Sequence, residues 1–384
     1  MNFEFATATR IIFGNGKLQD ICHLAPSFGR RALVVIGGDA KRAAPLLNCL
    51  AEGGIEVVLF SVSGEPTIEA AREGITSLKH AQAEMVISLG GGSVIDSGKA
   101  IAALATNPGD VLDYLEVIGQ GKPLVNDPLP FIAIPTTAGT GAEVTKNAVL
   151  ASEEQQVKVS LRHPAMLPKI ALIDPDLTFS MPKEVTASTG MDAITQVLEP
   201  FVSNAANPLT DAICMEGLRR GGRAIQRAYE NGEDADARTA MAITSLCGGL
   251  ALANAKLGAV HGFAGVLGGM YPAPHGVICA RLLPLVMEAN LQAMTSRAPD
   301  HPALGKYALA AHLLMGDENA TPEDGVAWLG SLSRDLRIPQ LGRYGVAESD
   351  FAEIVEKSKR ASSMKGNPIE LTDDELRGVL EKAV

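Results

Sequence analysis

The chain has 384 residues, with 33 basic and 44 acidic side chains and a formal net charge of −11. At roughly 100–200 residues per domain this is two or three domains, and 46% apolar with 20% charged residues excludes a disordered or fibrous chain. The acidic balance excludes a surface built for nucleic acid or anionic membranes, which needs clustered Lys and Arg. Glycine is abundant at 39 residues, and 1 Trp, 5 Tyr and 10 Phe leave the core to Ala, Leu, Ile and Val. This is the composition of an aliphatic α/β enzyme.

The opening segment lacks a basic stretch followed by an apolar one, so no secretory signal is expected there. No uncharged apolar run reaches the roughly 18 residues of a membrane span. The five cysteines (Cys22, Cys49, Cys214, Cys247 and Cys279) are widely spaced and contain no CxxC pair. Neither a disulfide framework nor a thiolate zinc site is therefore expected, and the expected location is cytoplasmic.

Apolar runs of strand length occur at Ala32–Ile36, Val57–Phe60, Met85–Leu89, Phe131–Ile134 and Ile170–Ile173. Helix-length segments, Ala40–Glu52 and Thr67–His80, separate the early ones, and Gly53-Gly54 stops the first of them. Strands apolar on both faces and separated by helices form a parallel sheet covered on both sides. From Pro182 the strand-like runs end, and long helical patterns follow at Pro208–Tyr229, Ala235–Ala255, Val277–Ala293 and Ala303–Met315. The expected fold is an α/β domain over residues 1–181 and an all-helical domain over 182–384. A ligand site is expected in a cleft between them.

Met85–Leu89 runs into Gly90-Gly91-Gly92-Ser93 and then a helical pattern. Glycines at a strand-to-helix junction let the backbone approach a pyrophosphate, and the helix N-terminus offers N–H groups and a positive dipole end. The stretch is not a P-loop, because Ser93 stands where that motif's first glycine belongs; nor is it GxGxxG, because Ile95 takes the last glycine position. A plain tight turn is the other reading. A second loop, Pro135–Thr145 (PTTAGTGAEVT), also follows a strand and is lined by Thr136, Thr137 and Thr140. Two such loops at the carboxyl ends of parallel strands suit a dinucleotide.

In the second half, Asp192 and Gln196 lie four residues apart on one helix face. His261 and His275 follow, two of only seven histidines. One carboxylate and two imidazoles suit Zn²⁺ or Fe²⁺ with a position left for a substrate oxygen. Two ordinary histidines at helix ends, bonded to backbone, would give the same pattern.

The blocks GGGSVIDSGKA, PTTAGTGAEVT, LRHPAMLPKIALIDPDLT, TGMDAITQVLEPFVS and VHGFAGVLGGMYPAPHG together resemble the successive signatures of the iron-containing (group III) alcohol dehydrogenase family. The resemblance spans about residues 5–290. It implies a dehydroquinate synthase-like architecture and NAD(P)-dependent, metal-assisted hydride transfer between nicotinamide and an alcohol or aldehyde. By this resemblance Gly90, Gly91, Gly92 and Ser93 hold the pyrophosphate, with Asp96, Thr136, Thr137 and Thr140 near the cofactor and Lys158 near its ribose. Asp192, His261 and His275 would carry catalysis as ligands of Fe²⁺ or Zn²⁺, and the chain would form a homodimer or higher homo-oligomer.

Three positions depart from the family pattern. Gln196 stands where most members have a fourth ligand, a histidine, and is carried as a weak ligand candidate. Gly265 stands where many have a proton-relaying histidine, leaving water, a cofactor ribose hydroxyl or a side chain such as His163 to move the proton. Gly37 replaces the acidic residue that often follows the second-block strand, with Asp39 two residues on and Lys41 and Arg42 beyond, so both NAD and NADP stay open. A metal-independent reductase resembling maleylacetate reductase is the alternative, and a lyase of the dehydroquinate synthase type a more distant one.

Overall fold

A computed structural model describes residues 2–152, 154–155 and 157–384. The chain forms two compact units. One comprises Thr7–Thr137 and Gly141–Thr178; the other comprises residues 2–6, Ala138–Thr140 and Phe179–Val384.

Among the described residues the first unit holds eight strands: β1 (Arg10–Phe13), β2 (Arg31–Ile36), β3 (Glu56–Ser61), β4 (Met85–Gly90), β5 (Phe131–Pro135), β6 (Asn147–Ser152), β7 (Val157–Arg162) and β8 (Ile170–Ile173). Six of them make one wholly parallel sheet in the order β1-β8-β5-β4-β2-β3. Every residue of β4, β5 and β8 is buried, as expected for strands covered on both faces. The two-residue period sorts them: Val34 and Ile36 join Leu46 and Leu50 of the helix Ala44–Glu52, whereas Leu33 and Val35 join Ile101 of the helix Gly92–Leu104. Thr67 caps the helix Ile68–Ala81, accepting from the Ala70 N–H at 3.0 Å, and Gly54 takes a left-handed φ of 70° after the helix Ala44–Glu52.

All five expected strands are present. The antiparallel hairpin β6–β7 and the edge strand β1 were not expected. β6 alternates between half-buried and buried positions, so it has no continuous apolar run to betray it.

The second unit is helical. Its elements are Lys183–Val202, Pro208–Glu230, Ala235–Asn254, Ala259–Met270, His275–Arg297, Ala303–Met315, Pro322–Asp335, Phe351–Arg360 and Asp373–Ala383, with short 3₁₀ turns between some of them. Apart from Thr189, every residue from Thr186 to Val202 is buried, so the first of these helices is surrounded by the others. The helix Ala235–Asn254 packs so closely on it that a Cβ at Gly248 would come within 2.9 Å of Gln196 Cβ. Among the described residues one helix, His275–Arg297, has the length and apolarity to cross a membrane. Within this unit 72% of its apolar window is already buried, which makes it a core helix.

Candidate metal and cofactor sites

Three helices of the second unit bring four donor side chains together. Asp192 projects from the middle of Lys183–Val202, and His261 from the first turn of Ala259–Met270. His275 opens the helix that carries Cys279 one turn later, on the same face. The donor atoms of Asp192, His261, His275 and Cys279 all lie within 4.8 Å of one another. Asp192 Oδ1 is 3.4 Å from His261 Nε2 and 3.9 Å from His275 Nε2.

The orientation of His261 follows from Glu199. One Glu199 oxygen accepts the Val260 N–H at 2.7 Å; the other faces His261 Nδ1 at 2.6 Å. An ionised carboxylate only accepts, so Nδ1 carries a proton, and in the neutral ring it is Nε2 that turns a lone pair toward Asp192. Asn367 Oδ1 accepts the neighbouring Ala259 N–H at 3.2 Å, so side chains satisfy the first donors of this helix. Burial would raise the Asp192 pKa, but His261 and His275 outweigh it and hold it below the usual carboxylate range. Burial would likewise lower the His261 pKa; the sulfur of Cys279 and the carboxylates of Asp192 and Glu199 reverse this and raise it well above the ordinary value.

Gln196 is buried one turn beyond Asp192 and donates its amide N–H to the Gly139 carbonyl at 3.0 Å. It tethers the segment Ala138–Thr140, Thr140 included, which belongs to this same unit. At Gly265, one turn after His261, an added Cβ would meet nothing within 4 Å.

In the α/β unit, β2 leads outward to edge strand β3, and the chain then returns to the other side of β2 as β4. The carboxyl ends of β2 and β4 therefore flank the switch point where parallel sheets bind ligands. Gly37 and Asp39 follow β2, and Gly90, Gly91, Gly92 and Ser93 follow β4. A Cβ on Gly90 would lie 2.6 Å from Val94 Cβ, so this turn admits no side chain. Gly91 caps the helix Gly92–Leu104, its carbonyl accepting from the N–H groups of Val94 and Ile95. Just after neighbouring β5, the Thr136 N–H donates to the Gly90 carbonyl at 3.0 Å, and Thr137 packs beside Gly91. Asp39 is exposed and accepts the Lys41 N–H at 3.0 Å.

Three sequence candidates carry structural bonds. Asp96 accepts the Val149 N–H at 3.0 Å and lies 3.8 Å from Lys99, bracing the helix against β6; burial raises its pKa to about 6, opposed by Lys99. Lys158, on β7, pairs with Glu65 at 3.1 Å. His163 Nδ1 accepts the Ala165 N–H at 3.2 Å and caps a short turn.

Sequence reasoning missed Glu199 and Cys279. The signal for both was helical spacing: Glu199 is seven residues after Asp192, and Cys279 four after His275. The absence of a CxxC pair speaks against an all-thiolate site and gives no hint that a single thiol stands beside the two histidines.

Residues 8–175 match the description "Iron-containing alcohol dehydrogenase", and residues 186–384 match "Fe-containing alcohol dehydrogenase family, C-terminal". The chain belongs to the iron-containing alcohol dehydrogenase family. It is 37% identical over 390 residues to 1,3-propanediol dehydrogenase of Klebsiella pneumoniae, covering 99% of this chain and 98% of that one. It is 35% identical over 380 residues to alcohol dehydrogenase 4 of Saccharomyces cerevisiae (strain YJM789), covering 97% and 96%. The crystal structure of a 1,3-propanediol oxidoreductase superposes with a TM-score of 0.92 at 33% identity, over the full length of both chains. The chain is thus an oxidoreductase of a family that implies a divalent metal and a nicotinamide dinucleotide.

The donor cluster fits such an ion. Asp192 Oδ1 is buried, has no hydrogen-bond partner, and faces His261 Nε2 at 3.4 Å. Two acceptors facing each other in a buried pocket repel unless a cation or proton lies between them.

Proposed function

We propose that this oxidoreductase interconverts alcohols and aldehydes with NAD(H) or NADP(H), and that Asp192, His261 and His275 hold its divalent metal. The observation that carries the reading is the unpartnered, buried Asp192 Oδ1 among two imidazole nitrogens. When bound, the ion supplies Lewis acidity at the substrate oxygen and the dinucleotide supplies or accepts hydride.

The residues of this chain divide the remaining work. The backbone of Gly90–Ser93 receives the pyrophosphate at the helix N-terminus, with Thr136 and Thr137 beside it. Asp39 meets the adenosine ribose. Glu199 keeps the His261 proton on Nδ1, so that Nε2 stays available as a donor. Gly265 supplies no proton-transferring group on the turn after His261, and its open space admits a larger or more polar substrate. The assembly proposed is a homodimer or a higher homo-oligomer.

The test is elemental analysis of the purified protein beside oxidation of NADH and NADPH with a panel of aldehydes, before and after chelation. The expected result is about one divalent ion per chain, an activity lost on chelation, and recovery when the ion is restored. Full activity without bound metal, indifferent to chelators, would overturn the metal reading in favour of a metal-independent reductase.

A further inference from the structure

The sulfur of Cys279 lies 3.8 Å from His261 Nε2 and 3.6 Å from His275 Nε2. We propose that Cys279 is a fourth protein ligand of the metal, giving a mixed carboxylate, bis-imidazole and thiolate site that selects Zn²⁺-like ions over Fe²⁺. The proposal rests on the reading of Asp192, His261 and His275 as metal ligands and adds a residue and a metal preference to it.

Spacing carries the first part of the argument. Bonds of about 2.0–2.3 Å to a tetrahedral centre place the ligand atoms roughly 3.3–3.8 Å apart. The four measured edges of this cluster are 3.4, 3.6, 3.8 and 3.9 Å, and the other two fall within 4.8 Å. Cys279 is fully buried, and its helix cannot turn it elsewhere without also moving His275, one turn before it.

Chemistry carries the second part. Asp192 Oδ1 and His261 Nε2 face each other across a gap that needs a proton or a cation, and the one weak S–H donor of a thiol cannot fill it for both. On binding, the thiol gives its proton to solvent and the sulfur lone pair forms the bond to the ion. Asp192 and Cys279 then bring two negative charges to a divalent ion, matching its own charge. The third part comes from Gln196, which is neutral and has its amide N–H engaged at Gly139. The helix turn after Asp192 thus offers only a weak ligand, while a thiol stands among the other donors. Thiolate together with imidazole favours zinc and its borderline relatives.

The test uses the full-length protein, stripped by a chelator and reloaded with Co²⁺ alone. Wild type should show the visible bands of tetrahedral cobalt together with a thiolate-to-cobalt charge-transfer band in the near ultraviolet. Cys279→Ser should keep the visible bands and lose the charge-transfer band, and Gln196→Ala should keep both. Zn²⁺ affinity of Cys279→Ser, measured by competition with a chromophoric chelator, should fall by at least about tenfold, the loss expected for even an outer-shell partner. Fe²⁺ affinity should fall less. Circular dichroism and unfolding curves confirm that the variants are folded. Visible cobalt bands in wild type without a charge-transfer band would overturn the thiolate ligand and leave the three-ligand reading standing. Failure of wild type to bind cobalt would overturn both.

Discussion

The contact between Glu199 and His261 decides more than its size suggests. Without the carboxylate, the imidazole is free to rotate or to move its proton to Nε2, which would turn a metal donor into an N–H facing Asp192. Glu199→Gln keeps the shape and removes the charge. Its amide can still accept from one N–H, but its other end donates, so either Val260 N–H or His261 loses its acceptor. Metal affinity should fall by about 10–100-fold, the usual consequence of changing such a partner. Competition titration against a chelator measures it, and unchanged affinity would show that His261 is oriented by packing alone. At this scale the three donors Asp192, His261 and His275 were legible because the family blocks that contain them are distinctive. Glu199 and Cys279 were not, because a glutamate and a lone cysteine on buried helices carry no motif. Only the assembled geometry gives them a role.

Among the elements, the helix Gly92–Leu104 joins the cofactor loop to a buried polar cluster. Lys99, fully buried, donates to the carbonyls of Ala142 and Asn147 at 2.8 Å each and to Thr145 Oγ1 at 2.9 Å. Glu143 is buried nearby in the second loop. Burial raises its pKa from 4.5 to about 7, against its own backbone N–H and the charge of Lys99. A carboxyl whose folded pKa lies above its unfolded value favours folding most when protonated. Its contribution is therefore complete below pH 4.5 and declines as pH rises through 7. For a shift of that size the decline is on the order of 3 kcal/mol. The urea midpoint of wild type should accordingly drop between pH 5 and pH 8, and Glu143→Gln should flatten that drop. Parallel curves for the two proteins would mean that the ionised carboxylate is better solvated than its burial suggests. The sheet strands that bear this loop were readable because β4 and β5 are apolar on both faces. The hairpin β6–β7, which supplies Asn147 and Val149 to the cluster, was not, because its half-buried alternation resembles any surface segment.

For the whole chain, the consequential fact is the division of labour between the units. The sequence reading puts its boundary at 181/182; the compact units change over between Thr178 and Phe179. It could not show that residues 2–6 and Ala138–Thr140 belong with the helices. Those assignments rest on contacts between distant positions, such as the Ala6 N–H to Asn254 Oδ1 and the Gly139 carbonyl to Gln196. All four side chains of the candidate metal cluster come from the helical unit, and the glycine loop lies wholly in the α/β unit. A ligand that binds only the folded form stabilises it by about 2.7 kcal/mol at a hundredfold excess over Kd, and that gain belongs to the unit whose residues bind it. Hydrogen exchange followed by mass spectrometry separates the two contributions. Adding Zn²⁺ to stripped protein should slow exchange in Lys183–Val202, Ala259–Met270 and His275–Arg297, and leave β4 and β5 unchanged. Adding NADH should slow exchange around Gly90–Ser93 and Thr136–Thr137. His261→Ala should abolish the first effect and spare the second. Metal-dependent protection spread evenly across β2, β4 and β5 would instead show that the two units unfold as one, with the metal stabilising the entire chain.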